Sequence, residues 1–331
     1  MATVYDVARH AGLSIATVSR VYNGSLYVSA KSKAKVLKSA KALNYVPHVG
    51  ARSLMSKKTD TIGVVLPDMH GEFFSELIRG IDQGVRSQGM HMLVSCSHDS
   101  SEEITTVLNA LRGRVDGLLI MSSVLDFSTI DKIFPADFPI ILINNHKDDS
   151  NCAKIGIDNY RGAYQMVKHL YNQACKKIFV IAGPKNNHDS VQRLQGITRA
   201  VDEFPGLSVV EVAHGDFTDD SGYKIAERIA DKIGSIDAIF ALNDMMAIGC
   251  VRFFADKSIT IPNDVKLAGF DGIPLSQYCA PSLTTIKVPI FELGQQALQL
   301  LIQELRSKDK SASKLEVLLL PTLVERQSTH R

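Results

Sequence analysis

Val4-Tyr5-Asp6-Val7-Ala8-Arg9-His10-Ala11-Gly12-Leu13-Ser14-Ile15-Ala16-Thr17-Val18-Ser19-Arg20-Val21-Tyr22-Asn23-Gly24 encodes two short amphipathic helices around a glycine turn. Val4, Val7, Ala8 and Ala11 recur at helical spacing, and Thr3 is placed to cap them. Gly12 supplies the tight turn and Leu13 an apolar plug. Ser14 caps a second helix with Val18 and Val21 inside and Tyr22 at its margin; Asn23-Gly24 ends it. A third helix starting near Ser29 is expected to bury Val36, Leu37, Ala40 and Leu43. It leaves Lys31, Lys33, Lys35, Lys38 and Lys41 outside. Three short helices with a glycine turn between the first two make a helix-turn-helix.

In that geometry the second helix enters the major groove of DNA with its outward residues on the base edges. Here these are Ile15, Ala16, Thr17 and Arg20. An arginine fits guanine bidentately, and small apolar groups meet thymine methyls. Thr3, Tyr5, Ser14, Asn23, Tyr27 and Ser29 suit phosphates, which position a protein without reading sequence. Charge agrees. Residues 1–58 hold ten Lys or Arg and one acid, Asp6, whereas the remaining 273 residues hold 27 basic and 34 acidic side chains. A cationic module that carries its own capping signals and apolar periodicity answers to a polyanion. Gly12-Leu13-Ser14-Ile15-Ala16 approaches a GxSxG nucleophile elbow, but helix periodicity precedes it where that motif needs a buried strand, so Ser14 is a cap.

The run from Tyr5 to Gly24, with Val28-Ser29, Leu43-Asn44-Tyr45-Val46-Pro47 and Ala51-Arg52-Ser53-Leu54, resembles the lactose/galactose repressor family of bacterial regulators. The segment from Pro47 is too short to be a stable helix alone, and Gly50 weakens it further. The resemblance implies a hinge helix that forms on DNA and lies in the minor groove, with Leu54 as a wedge at the central base step. The alternative is that Leu54 packs on the third helix.

From residue 61 short β-rich runs alternate with helical patterns. The expected strands are 62–66, 91–95, 117–121, 140–144, 178–182, 209–213, 238–242 and 266–270. Helices are expected at 74–88, 161–172, 191–203, 219–233 and 244–256. Such alternation means parallel sheets covered by helices on both faces. The block is too long for one sheet, so two doubly wound α/β lobes follow the all-α head. The resemblance covers them too, as a periplasmic-binding-protein-like pair. Expected boundaries are 1–46 for the head, 47–59 for the hinge and linker, and 60–331 for the body. Within the body the first lobe takes about 60–158 and 288–317, and the second about 159–287 and 318–331.

Ligands of open parallel sheets bind beyond the carboxyl ends of the strands, and polar clusters follow the strands here: Asp68-Met69-His70, Asn144-Asn145, Asn186-Asn187, Asn243-Asp244 and Asp271-Gly272. Asp68 and Asp244 also fit as helix caps. By resemblance, the effector is held by Phe73, Arg193, Phe217, Asn243 and Asp271. Asn144-Asn145 replaces an Asp-Arg common in relatives, and His70-Gly71-Glu72 replaces an Asn-Pro, both on the ligand side.

The other signals are negative. Neither GxxxxGK[ST] nor GxGxxG occurs, and the ten histidines and five scattered cysteines show no metal spacing, so neither catalysis nor a cofactor or metal is expected. No membrane-length apolar run and no signal peptide is apparent, which places the chain in the cytoplasm, on the nucleoid. The segment after Leu320 lacks heptads, so a homodimer on a pseudopalindromic operator is expected rather than a coiled-coil tetramer. Together these read as a DNA-binding transcriptional regulator, a repressor above all, controlled by a sugar-like effector between the lobes. The alternatives are a purine- or nucleoside-responsive member of the same family, and a sugar-processing enzyme with an appended DNA module.

Overall fold

The computed structural model describes residues 2–22, 27–45, 58–145, 152–307 and 315–330. The chain divides into two compact units, Met1–Asp60 and Thr61–Arg331.

The first unit holds α1 (Val4–Ala11), α2 (Ile15–Tyr22) and α3 (Ala30–Ala42). Thr3 caps α1 in a reciprocal box. Its hydroxyl accepts from the Asp6 amide, and the Asp6 carboxylate accepts from the Thr3 amide at 2.9 Å. Gly12 ends α1 at φ 63°, a left-handed conformation that a side chain resists. Val7, Ala8, Val18, Val21, Val36 and Ala40 form the small core, with Leu13, Tyr22 and Leu43 packed on it. One expectation fails: Leu37 is 46% exposed, and Ser39 is buried in its place. Positions 36, 39, 40 and 43 share one helical face, whereas 37 is rotated off it. The Ser39 hydroxyl is satisfied by His10 Nδ1 at 3.0 Å, which lets a polar side chain sit in this core. Asn23, Leu54 and most of the expected hinge at 47–59 lie outside the described residues.

The second unit contains two six-stranded sheets. The first comprises β1 (Thr61–Leu66), β2 (His91–Cys96), β3 (Gly117–Ile120), β4 (Ile140–Ile143), β5 (Ala153–Ile157) and β11 (Glu316–Leu319), in the order β11-β5-β4-β3-β1-β2. The second comprises β6 (Lys177–Ala182), β7 (Ser208–His214), β8 (Ala238–Ala241), β9 (Lys266–Asp271), β10 (Thr284–Lys287) and β12 (Thr322–Val324), in the order β12-β10-β9-β8-β6-β7. Pairing is parallel throughout the described strands except for β10 with β12. Central strands such as β3, β4 and β8 are wholly buried, as strands covered on both faces must be. β5, β10, β11 and β12 were not expected from the sequence. They sit where the chain passes from one sheet to the other: after Ile157, after Lys287 and after Leu319.

The helices of this unit are α4 (Glu72–Ser87), α5 (Ser101–Leu111), α6 (Phe127–Ile133), α7 (Asn159–Asn172), α8 (His188–Glu203), α9 (Asp219–Ile229), α10 (Asp244–Asp256) and α11 (Ile290–Arg306). α9 is shorter than expected because a 3-10 turn, Ala230–Ser235, takes over its end. α9 and α10 meet backbone to backbone: a Cβ on Gly222 would overlap the Met246 carbonyl oxygen. Gly222→Ala should therefore lower stability by about 1–3 kcal/mol, the usual cost of overpacking. Gly234→Ala, whose Cβ would meet nothing within 4 Å, should be close to neutral. Urea midpoints of the two variants check this contrast.

Candidate functional site

On the first unit, Ile15, Ala16 and Arg20 are exposed on the outer side of α2, and Tyr5, Tyr27, Ser29 and Thr3 are exposed around it. Ser14 and Thr17 differ from their neighbours because their hydroxyls bond each other at 2.9 Å and Ser14 Oγ accepts the Thr17 amide. They shape the start of α2 while remaining at its surface. Lys31, Lys33, Lys35, Lys38 and Lys41 are all exposed on α3.

In the second unit, a cleft of about 350 Å³ opens at the carboxyl ends of the strands of both sheets, within the range of small-molecule sites. Phe73, Arg193, Phe217, Asn243 and Asp271 all line it, though they lie far apart in sequence. Arg193, 3% exposed, is its keystone. Its Nε donates to Asn159 Oδ1 at 2.8 Å, Nη1 donates to the Leu242 carbonyl, and Nη2 lies 3.2 Å from Asp271 Oδ1. The guanidinium stacks 3.8 Å from the centre of the Phe270 ring. The Nη2–Asp271 contact is an ion pair, and no other donor reaches Asp271 Oδ1. Asp271 stands at φ 108°, a strained conformation at the end of β9. Burial pushes its carboxyl up to about 7. Arg193 opposes this shift and nearby Asp189 adds to it.

Asn243 caps α10 through its side-chain oxygen, which accepts the Met246 amide, and its amide donates to the Phe217 carbonyl at 2.8 Å. It thus fixes Phe217, at φ 70°, against the second sheet. A Cβ on Gly183 would overlap the Phe217 ring, so only glycine there admits the aromatic wall. Asp68 serves its own turn, accepting from the Met69 and His70 amides. Asp244 is fully buried and off the cleft, accepting from Thr285 Oγ1 at 2.6 Å and the Ile273 amide at 2.9 Å. Burial first, then Asp271, raises its carboxyl well above the ordinary value.

One site residue, Asn159, is not marked in the sequence. Asn159 bridges Arg193 to Asp189, donating to Asp189 Oδ1 at 3.0 Å, and Asn144 reaches Asp189 Oδ2 from the other lobe at 3.2 Å. Asp158-Asn159 resembles a helix cap, and Asp158 is one, which hides its neighbour. A second contact between lobes joins the Leu275 amide to Glu72 Oε2 at 2.7 Å.

Residues 3–48 match the bacterial regulatory proteins of the lacI family, and residues 167–329 match a periplasmic binding protein-like domain. The ribose operon repressor of Halalkalibacterium halodurans is 34% identical over 331 residues, spanning 99% of this chain and 97% of that one. The chain belongs to the LacI family. The solved Lac repressor dimer bound to operator and the anti-inducer ONPF has a TM-score of 0.85 to this regulator at 28% identity, covering 99% of both chains. A LacI family transcriptional regulator from Enterococcus faecium with bound ribose is 30% identical with a TM-score of 0.72, covering 81% of this chain and 98% of that one. Head, paired lobes and family identity therefore agree with the expectations drawn from the motifs.

Asp271 gives this LacI-family regulator a pH signature. It is protonated up to about pH 7 in the fold, against an ordinary value of 3.8, so the folded state binds the extra proton between these values. Its stabilising contribution is complete below the lower value and declines until the upper one. Asp271→Asn should gain stability relative to the wild type as pH rises from about 5 to 7, with the gap level above. Urea unfolding across that range measures it; a gap independent of pH would mean that Arg193 keeps Asp271 ionised.

Proposed function

We propose that this regulator is a repressor whose operator affinity is set by a sugar-like effector held in the cleft. The convergence of Phe73, Arg193, Phe217, Asn243 and Asp271 on one cleft carries this reading. Ring faces and fixed polar groups are the furniture of polyol recognition. A ribose-bound relative and a ribose operon repressor among similar proteins support the sugar class. The two phenylalanines favour a nucleoside as the second reading. The division of labour is 1–46 for DNA, 47–59 for the hinge, and 60–331 for effector binding and dimerisation. Ile15, Ala16, Thr17, Arg20 and Leu54 are assigned to bases, and Thr3, Tyr5, Ser14, Asn23, Tyr27 and Ser29 to the backbone.

The protein acts as a cytoplasmic regulator, not an enzyme, and binds a pseudopalindromic operator as a homodimer, the state in which the Lac repressor was solved. No helix among the described residues is long and apolar enough to cross a membrane. Control works by population shift: the effector must bind one lobe arrangement better than the other.

Two variants separate the halves of this reading. Arg20→Ala should cost about 1–3 kcal/mol on the true operator and much less on random DNA, by fluorescence anisotropy. A loss equal on both would move Arg20 to the phosphates. Phe73→Ala should erase the thermal shift given by a carbohydrate or nucleoside panel while leaving operator affinity intact. Phe73 is the better probe than Arg193, since deleting one partner of a buried ion pair strands the other and destabilises the fold.

A further inference from the structure

The polarity of the cleft restricts what it can hold. Six carboxylate side chains line it: Asp68, Glu72, Asp99, Asp189, Asp216 and Asp271. Against them stand one guanidinium, Arg193, and two imidazoles, His70 and His98, so the lining stays acidic even with both histidines protonated. Arg193 is committed on every side, to Asn159, the Leu242 carbonyl, Asp271 and the Phe270 face. A phosphate would have to break that set to be neutralised.

Several other donors at the cleft are spent inside the protein. The Asn243 amide goes to the Phe217 carbonyl, the Thr218 hydroxyl to Asp216, and the Asn144 amide to Asp189. Acceptors are left open. Asp271, 6% exposed, keeps Oδ1 without a hydrogen bond. Asn144, 8% exposed, keeps its own Oδ1 without one, in a recess of about 30 Å³ that shares Asp99, Met121 and Asp189 with the cleft. A buried acceptor such as Asn144 Oδ1 calls for a donor.

We propose that the cleft refuses anions, and that its effector is an unphosphorylated, hydroxyl-bearing molecule without a carboxylate, donating to Asp271 and Asn144. The selectivity follows from the lining itself. An added dianion meets a lining in which carboxylates outnumber cations and whose one guanidinium is already held by protein groups, whereas a free hydroxyl satisfies the Asn144 acceptor and can share Asp271 with Arg193. The proposal rests on the cleft being the effector site.

The test uses the full chain with a reporter thiol, Met245→Cys, on the cleft wall. Its modification by cationic and by anionic methanethiosulfonates is followed by site-resolved mass spectrometry, which separates it from the native cysteines. Relative to a free peptide thiol, the cationic reagent should be favoured ~10-fold or more, as a focused negative potential requires. A ratio at or below that of the free thiol overturns the proposal. Ribose against ribose 5-phosphate, and adenosine against AMP, are then titrated by calorimetry into the wild type. A phosphorylated member that binds as tightly as its neutral partner also overturns it; neutral binding alone supports it. If the cleft-labelled protein still changes operator affinity with a panel compound, the cleft is not the effector site, while the labelling ratio still decides the charge preference.

Discussion

The polar floor of the cleft is arranged around one buried cation. Arg193 would be intolerable at 3% exposure without Asp271, Asn159, the Leu242 carbonyl and the Phe270 face, which together replace its water. Those partners come from α7, β9 and the residue after β8, so the side chain, itself on α8, measures the alignment of several elements at once. Because Asp271 must turn into a strained backbone conformation to meet it, the ion pair also fixes the end of β9. A charge pair of this sort adds little net stability compared with an apolar substitute. Its contribution is definition: it holds a cleft floor that would otherwise be irregular loop.

Communication between the lobes follows from where that floor is tied. Asn159 passes from Arg193 to Asp189, and Asp189 is the residue that Asn144 contacts from the other lobe. The Glu72 contact with the Leu275 amide is a second tie between the lobes. Lobes joined by three short connections and a few hydrogen bonds can change their mutual angle at modest cost, as hinge-connected domains do. Shifting an equilibrium requires only that the effector discriminate between those angles.

How much of this was legible in the sequence depended on the kind of signal. The caps Thr3 and Ser14, the Gly12 turn and the runs that became β1, β3, β4 and β8 announce themselves locally, through period and capping chemistry. Leu37 was misassigned because a lysine-rich helix leaves its apolar face ambiguous by one position, which burial of Ser39 resolves. β10 to β12 are short strands whose pairing comes from distant partners, so no local pattern marks them. The family resemblance brought forward five cleft residues. Asn159 stayed hidden because its role depends on a side chain 34 positions away.

The unsatisfied oxygen of Asn144 connects recognition with motion. Its amide is held by Asp189 across the lobes while its carbonyl oxygen has no donor. A ligand that brings two hydroxyls to the recess can donate one to that oxygen and the other to Asp189, in competition with the Asn144 amide. A hydrogen bond between the lobes would then be exchanged for one that passes through the ligand. Such an exchange is nearly neutral in hydrogen-bond number but not in geometry, because the ligand occupies space that the direct contact does not. The lobe angle that suits the direct bond is then not the angle that suits the bridged one, and the difference is the differential affinity that allosteric control requires.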